Sequence, residues 1–292
     1  MNYSDFVEAL KNELDKRKIQ YTDQLVEKNG KMVEGICLDY DSFIDNINLS
    51  PVIYPELLYK DFHYRDTDVC EVVNRILEET QNRLEDATKF TTSIRKYETA
   101  APYLTCKLVN ARRNKRHVES KCCLYKEFLD LYIIPIISTG EYVVEITTGL
   151  AEMWGVSEAE IIEVSMKNLE NGKTVFNSPN NILGDNYDLP EEAIRMYVLT
   201  NTNFSYGASK ILIPSTLKNI ETKIGGKYWI IPSSVHECII VPLEDVLDPK
   251  GIKELIKEVN LTEVDEKDYL SDNLYRYTGI KGKEIIIVDE EV

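Results

Sequence analysis

Ser233, Ser234, His236 and Glu237 crowd into one short stretch, and their types are those of a nucleophile, a general base and an orienting acid. They fall between two apolar runs, Tyr228 to Ile231 and Cys238 to Val241, rich in β-branched and aromatic residues and separated at Pro232. That pattern predicts a buried antiparallel hairpin with the reactive residues at its turn and exit. If His236 and Glu237 open the returning strand they project to opposite faces, so Glu237 does not orient His236. A distant acid such as Asp272 is then the candidate partner. The serines also lack the Gly-x-Ser-x-Gly elbow that exposes a nucleophile at a helix start. Three uses of the stretch follow: hydrolase-type chemistry by Ser233 or Ser234, His236 and an acid; ligand or peptide binding by Asn201, Ser234, His236 and Glu237; or a turn whose polar side chains satisfy backbone groups at a sheet end.

Other chemistries find less support. Three histidines, His63, His117 and His236, include no His-x-x-x-His, and the six cysteines include no Cys-x-x-Cys. No zinc set follows from spacing, and neither a metal nor a cofactor is expected. The adjacent Cys122 and Cys123 form the one feature that would hold a soft metal, with help from elsewhere in the chain. Neither a dinucleotide fingerprint nor a phosphate-binding loop is present, and Gly225-Gly226 reads as a helix C-cap.

At 292 residues and 43% hydrophobic, the chain can bury a large core. Its longest apolar run, Leu131 to Ile137, is far short of the ~20 residues of a membrane helix, and the charged, amphipathic N-terminus has no signal-peptide core. No membrane association and a cytoplasmic location are expected, with reduced cysteines. The net charge is −16, with 19 basic against 21 acidic residues in 1–125 and 15 against 29 in 126–292. Such a surface repels a phosphate backbone, so nucleic-acid binding is disfavoured and a basic protein partner is the charged alternative. Arg112, Arg113, Lys115 and Arg116 form the one dense basic cluster, without the interleaved aromatics of an RNA-binding surface.

These residues must be positioned by the elements around them. Phe6, Leu10 and Leu14 predict a helix over Asp5 to Lys16 with a capping box of Asp5 and Glu8. Ile19 to Lys28 and Lys31 to Tyr40 flank Asn29-Gly30 as a hairpin. Asp66 to Asp86 reads as a long helix capped by Asp68. Tyr103 to Val109 reads as a strand, and from Phe128 the pattern changes to a longer strand and a return over Tyr142 to Thr147. A break near 120–126 is therefore expected, dividing lobes 1–125 and 126–292 that pack closely. Ser157 to Leu169 predicts a capped helix, Asn171 to Pro190 a long loop that could serve as a lid, and Tyr197 to Asn201 a core strand. Gly207 to Leu212 begins a helix bent near Pro214, and Pro249 to Val259 forms another.

Met153-Trp-Gly-Val-Ser157, Tyr197-Val-Leu-Thr-Asn201, Gly207-Ala-Ser209, Ile231-Pro-Ser-Ser-Val-His-Glu237 and Leu270-Ser-Asp-Asn-Leu-Tyr275 occur in this order. Together they resemble an uncharacterised family of bacterial proteins from anaerobic gut Firmicutes and, more distantly, the YtpQ-like proteins. The resemblance is good over 150–292 and thin before it. It implies a bacterial cytoplasmic protein, with carriage on a mobile element as one setting, and implies no activity. Tyr206 stands where this resemblance leads one to expect asparagine before Gly207.

The sequence thus predicts an α+β fold of largely antiparallel sheets covered by helices. The function it favours is a non-enzymatic acidic interaction protein, a regulator or an inhibitor that imitates nucleic acid. A hydrolase using the 233–237 turn is the alternative.

Overall fold

A computed structural model describes residues 1–28, 31–38, 43–44, 47–48, 51–65, 68–140, 142–178, 195–246 and 248–288. The Asn29-Gly30 turn and most of the expected 171–190 loop lie outside the described residues. The fold is α+β, and every strand pairing among the described residues is antiparallel. No helix among the described residues is long and apolar enough to cross a membrane.

Two compact units divide the chain, Met1–Arg95 and Lys96–Val292. In the first, helix α1 (Tyr3–Lys16) buries Phe6, Leu10 and Leu14, one stripe at helical spacing. Its cap is Asn2, whose side chain accepts from the Asp5 amide, so Asp5 lies in the first turn and the expected Asp5–Glu8 box is not the cap. Strands β1 (Tyr21–Lys28) and β2 (Lys31–Leu38) pair with Lys28 opposite Lys31, the register of a two-residue connection. The short strands β3 (Phe43–Ile44) and β4 (Ile47–Asn48) pair with each other, and β5 (Val52–Ile53) pairs with β2. Helix α2 (Pro55–Arg65) follows, and then α3 (Val69–Ser93). Asp68 caps α3 as expected, and the helix runs past Asp86 to Ser93. Leu10, Leu14, Ile36, Leu38, Ile53 and Val73 form the core of this unit.

The second unit opens with a short helix α4 (Tyr97–Ala100), a 3-10 turn and strand β6 (Leu104–Asn110). Helix α5 (Ala111–Lys121) then carries the basic cluster, with Arg112, Arg113, Lys115 and Arg116 exposed and Asn114 and Val118 buried. Strands β7 (Lys126–Phe128), β8 (Leu131–Ser138) and β9 (Val143–Glu145) complete a four-stranded sheet in which β8 is central. Period-two alternation gives this sheet two apolar faces. Cys106, Leu108, Leu131 and Ile133 join the main core, while Val109, Tyr132, Ile134 and Ile136 pack with Val118 and Cys123.

Helices α6 (Thr148–Trp154) and α7 (Glu158–Asn171) lead to a six-stranded sheet of order β10-β11-β13-β12-β14-β15. Its strands are β10 (Thr174–Asn177), β11 (Tyr197–Asn201), β12 (Tyr228–Ile231), β13 (Cys238–Pro242), β14 (Tyr275–Ile280) and β15 (Lys283–Ile287). The expected central hairpin is β12–β13, with Ile231 opposite Ile239. One face of this sheet shares the main core with a 3-10 segment, Gly207–Leu212, and helix α8 (Pro214–Ile224). Its other face, with Trp229 and Val241, packs with Ile256 of helix α9 (Pro249–Thr262). Gly225 ends α8 at φ 88°, the left-handed C-cap predicted for it.

The break expected near 120–126 falls inside the four-stranded sheet, because β6 pairs with β8 along its whole length across that stretch. Periodicity revealed a change of element there, but only the long-range pairing shows that both sides belong to one sheet. Moving the boundary to residue 95 redistributes the charge: Met1–Arg95 holds 12 basic against 19 acidic residues, and Lys96–Val292 holds 22 against 31. The acid excess is therefore shared by both units.

All six cysteines are free, with Cys106, Cys123 and Cys238 buried, Cys37 intermediate, and Cys70 and Cys122 exposed. Burial pushes the Cys106 thiol up to about 12 and the Cys238 thiol higher still. Thiol titration of the native protein is expected to label Cys70 and Cys122 rapidly and the three buried thiols only on unfolding. Rapid reaction of Cys106 or Cys238 would contradict the strand packing.

Candidate functional site

The 232–237 connection of the central hairpin closes on Ser234. Its hydroxyl donates to Glu237 Oε1 at 2.7 Å and accepts from the His236 amide at 3.0 Å, while the Ser234 amide donates to the Glu237 carbonyl at 3.2 Å. Ser234 is buried, and its oxygen is committed to the turn. Glu237 serves Ser234 and not His236, in keeping with the divergence expected from the sequence. Ser233 uses its amide on the Ile231 carbonyl and stays partly exposed.

His236 turns the other way. Its Nδ1 accepts from the Tyr206 amide at 3.2 Å, which leaves the neutral ring's proton on Nε2, facing Asp268 Oδ1 at 3.2 Å. The hydrogen bond and charge of Asp268, working against burial, raise the His236 pKa above 6.5. The acid partner is therefore Asp268. Asp272, the sequence-based candidate, accepts from Asn260 Nδ2 at 2.8 Å instead. The four-residue offset was not readable, because neither acid lies in a regular element whose phase could be counted.

Behind His236 the chain is packed against its own backbone. The His236 carbonyl accepts from Thr200 Oγ1 at 2.7 Å, and Gly207 sits directly beside this bond. A Cβ on Gly207 would press on Thr200 Oγ1 and lie 2.6 Å from the His236 carbonyl and 2.7 Å from the Asn201 amide. Glycine is required here for close approach. Before it, Phe204 at φ 50° and Tyr206 at φ 53° both hold left-handed backbone, a conformation asparagine adopts more readily than an aromatic residue. At position 206 the ring offsets that cost, since it packs on His236 and joins both apolar faces of the four-stranded sheet.

Asn201 organises this loop. Its Nδ2 donates to the Ser205 carbonyl at 2.7 Å, and its Oδ1 accepts from the amides of Asn203 and Ser205. The loop forms one wall of a cleft of about 240 Å³, whose other walls are the start of β6 around Thr105 and the end of α7 around Asn168. Asn201 lines this cleft, and Ser233, Ser234, His236 and Glu237 are not among the residues lining it. Lys210 lies in the cleft wall at 1% exposure, its ammonium donating to the carbonyls of Leu169 and Gly172 at 2.6 Å each. Burial lowers its pKa. A cation capping the last turn of α7 accounts for a lysine so deep in the protein. Tyr103 lines the cleft as an exposed aromatic, and exposed Phe204 stands between the lining residues Asn203 and Ser205.

A second polar group was not anticipated from spacing. Lys107 of β6, His117 of α5, Cys123 and Glu145 of β9 converge on the α5 face of the four-stranded sheet. Glu145 Oε1 accepts from Lys107 Nζ at 2.7 Å, and Oε2 faces His117 Nε2 at 2.7 Å and Cys123 Sγ at 3.4 Å. Burial opposes the charge on Glu145, yet the bonds from His117 and Lys107 hold its carboxyl down at about 2. Burial and the neighbouring Glu145 push the Cys123 thiol up to about 12.

Two outcomes test this geometry. Gly207→Ala is expected to destabilise the protein by roughly 1–3 kcal/mol, since the contacts it forces are with backbone that cannot yield cheaply; an unchanged melting temperature would contradict the close approach. Because the folded His236 pKa lies above the unfolded one, the stability contributed by its pair with Asp268 is full below about 6.5 and is lost as pH rises through the raised value. The melting-temperature gap between wild type and Asp268→Asn should accordingly be wider at about pH 6 than at about pH 9. A gap that grew with pH would mean that the pair does not exist in solution.

No curated protein and no solved structure matches this chain. Residues 3–279, which span both units rather than only the C-terminal half, do match a family of unknown function, DUF5688, and the chain belongs to that family.

Proposed function

We propose that this chain is a non-enzymatic interaction protein of a bacterial cytoplasm, a regulator that holds a segment of a partner protein in the cleft between β6, the end of α7 and the 201–210 loop. One observation carries the non-enzymatic part. Both ring nitrogens of His236 are occupied, by the Tyr206 amide and by Asp268, while the Ser234 hydroxyl is turned to Glu237. A serine nucleophile needs its base within hydrogen-bond reach, and here the imidazole has no acceptor left to offer. The hydrolase reading is the weaker one on this ground.

The cleft supports the binding part. Its walls present uncharged polar groups from Thr105, Asn168 and the 201–205 loop together with the exposed cation Lys173, and the exposed aromatic rings of Tyr103 and Phe204 lie beside them. Aromatic rings next to hydrogen-bonding groups suit an extended peptide, which offers amides to the polar walls and apolar side chains to the rings. The acid excess is spread over both units, which favours a solvated, solubilising surface over an acidic face that imitates nucleic acid.

Treatment with a fluorophosphonate probe, paired with melts of His236→Ala and Ser234→Ala, separates the two function classes. The expected result is no covalent label and a lower melting temperature for His236→Ala, equivalent to ~1–3 kcal/mol from the unpaired Tyr206 amide and Asp268. Stoichiometric labelling at Ser233 or Ser234, lost in a still-folded His236→Ala protein, would make the turn an active site.

A further inference from the structure

We propose that His117, Cys123 and Glu145 form a binding site for a divalent transition metal of the zinc type. Their donor atoms, one from each residue, all lie within 4.8 Å of one another. They are supplied by three separate places in the fold: the inner side of α5, the residue just after its left-handed cap at Cys122, and strand β9. Convergence of that kind is set by tertiary structure, so no spacing motif announces it.

The chemistry of the donors selects the ion. Imidazole, thiolate and carboxylate together suit zinc and its neighbours, whereas calcium and magnesium take oxygen ligands alone. Three protein ligands leave a fourth position of a tetrahedral site for water or a partner's side chain. The carboxylate is already oriented for this role. Lys107 holds Oε1, which directs Oε2 at both His117 and Cys123, and Lys107 is itself positioned 5.4 Å from the centre of the Tyr206 ring. Such outer contacts fix ligand geometry in metal sites generally. Shelter is sufficient without sealing the site: Cys123 is 5% exposed, and the side chains of His117 and Glu145 are 18% and 22% exposed.

Without metal, the Sγ–H of Cys123 and the Nε2–H of His117 both point at Glu145 Oε2 and take the place of the ion. On binding, the thiol proton leaves to solvent, His117 binds as the Nδ1–H tautomer, and no electron is transferred. Cys122 takes no part. Its thiol is exposed, and its sulfur lies against the Glu119 carbonyl. This site does not depend on the cleft binding a partner.

The test is titration of the metal-free protein with Co²⁺, then displacement by Zn²⁺. The expected result is one equivalent bound, with a sulfur-to-cobalt charge-transfer band and the visible bands of a tetrahedral ion. Cys123→Ser should abolish the charge-transfer band and Cys122→Ser should keep it. His117→Gln should weaken binding by more than the ~10–100-fold that loss of an outer-shell partner costs. Melting curves recorded without metal establish that each variant is folded, and Zn²⁺ should raise the melting temperature of the wild type and of Cys122→Ser only. Absence of a charge-transfer band in the folded wild type, or its survival in Cys123→Ser, would overturn the assignment and leave the trio as a hydrogen-bonded buttress of the sheet.

Discussion

The missing side chain at Gly207 is the constraint on which the centre of the larger unit depends. Because no Cβ intervenes, the 3-10 segment that starts there can lie against β11 and the His236 carbonyl, with the Thr200 hydroxyl closing the contact. From that seat the chain delivers the Tyr206 amide to His236, the Ser209 hydroxyl to the Tyr206 carbonyl and the Lys210 ammonium to the last turn of α7. Volume at this one position therefore couples the hairpin turn, the cleft and the helix behind it. The left-handed backbone at Tyr206 is held in place by the same packing.

Two polar groups inside this unit, around Asp130 and Asn110, are arranged as completed sets, whereas Tyr97 Oη, Ser165 Oγ, Trp229 Nε1 and Arg276 Nε are buried with no hydrogen-bond partner. Asp130 accepts from Ser271, Asn273 and Tyr275, which ties the β7–β8 turn of one sheet to the entrance of β14 in the other. Asn110 donates to the Leu270 carbonyl and caps α5 with the same side chain. A satisfied buried network makes a fold specific, since any other arrangement strands one of its members. The hairpin turn is built in a related way. Ser234, His236 and Glu237 have the types of a catalytic triad, but Ser234 and Glu237 pair with each other while the His236 ring turns to the Tyr206 amide and Asp268.

Tyr206 touches the hairpin turn, the Lys107–Glu145 group and the cleft alike. Its backbone amide serves His236, its ring lies beside the Lys107 ammonium that orients Glu145, and it lines the cleft.

Local pattern in the sequence determined the element types: the 3.6-residue stripe of α1, the Asp68 cap of α3, the Gly225 cap of α8 and the paired apolar runs of β12 and β13. Each of these rests on interactions within a few residues, which is why composition and spacing reveal them. The same reading gathered Ser234, His236 and Glu237 into one turn. Only the tertiary structure decided what those side chains face. Asp268 in place of Asp272, the boundary at residue 95 in place of 120–126, and the meeting of His117, Cys123 and Glu145 all depend on β6 pairing with β8 and on two sheets sharing one core. Contacts between residues far apart in the chain are set by global packing, and no local periodicity encodes them.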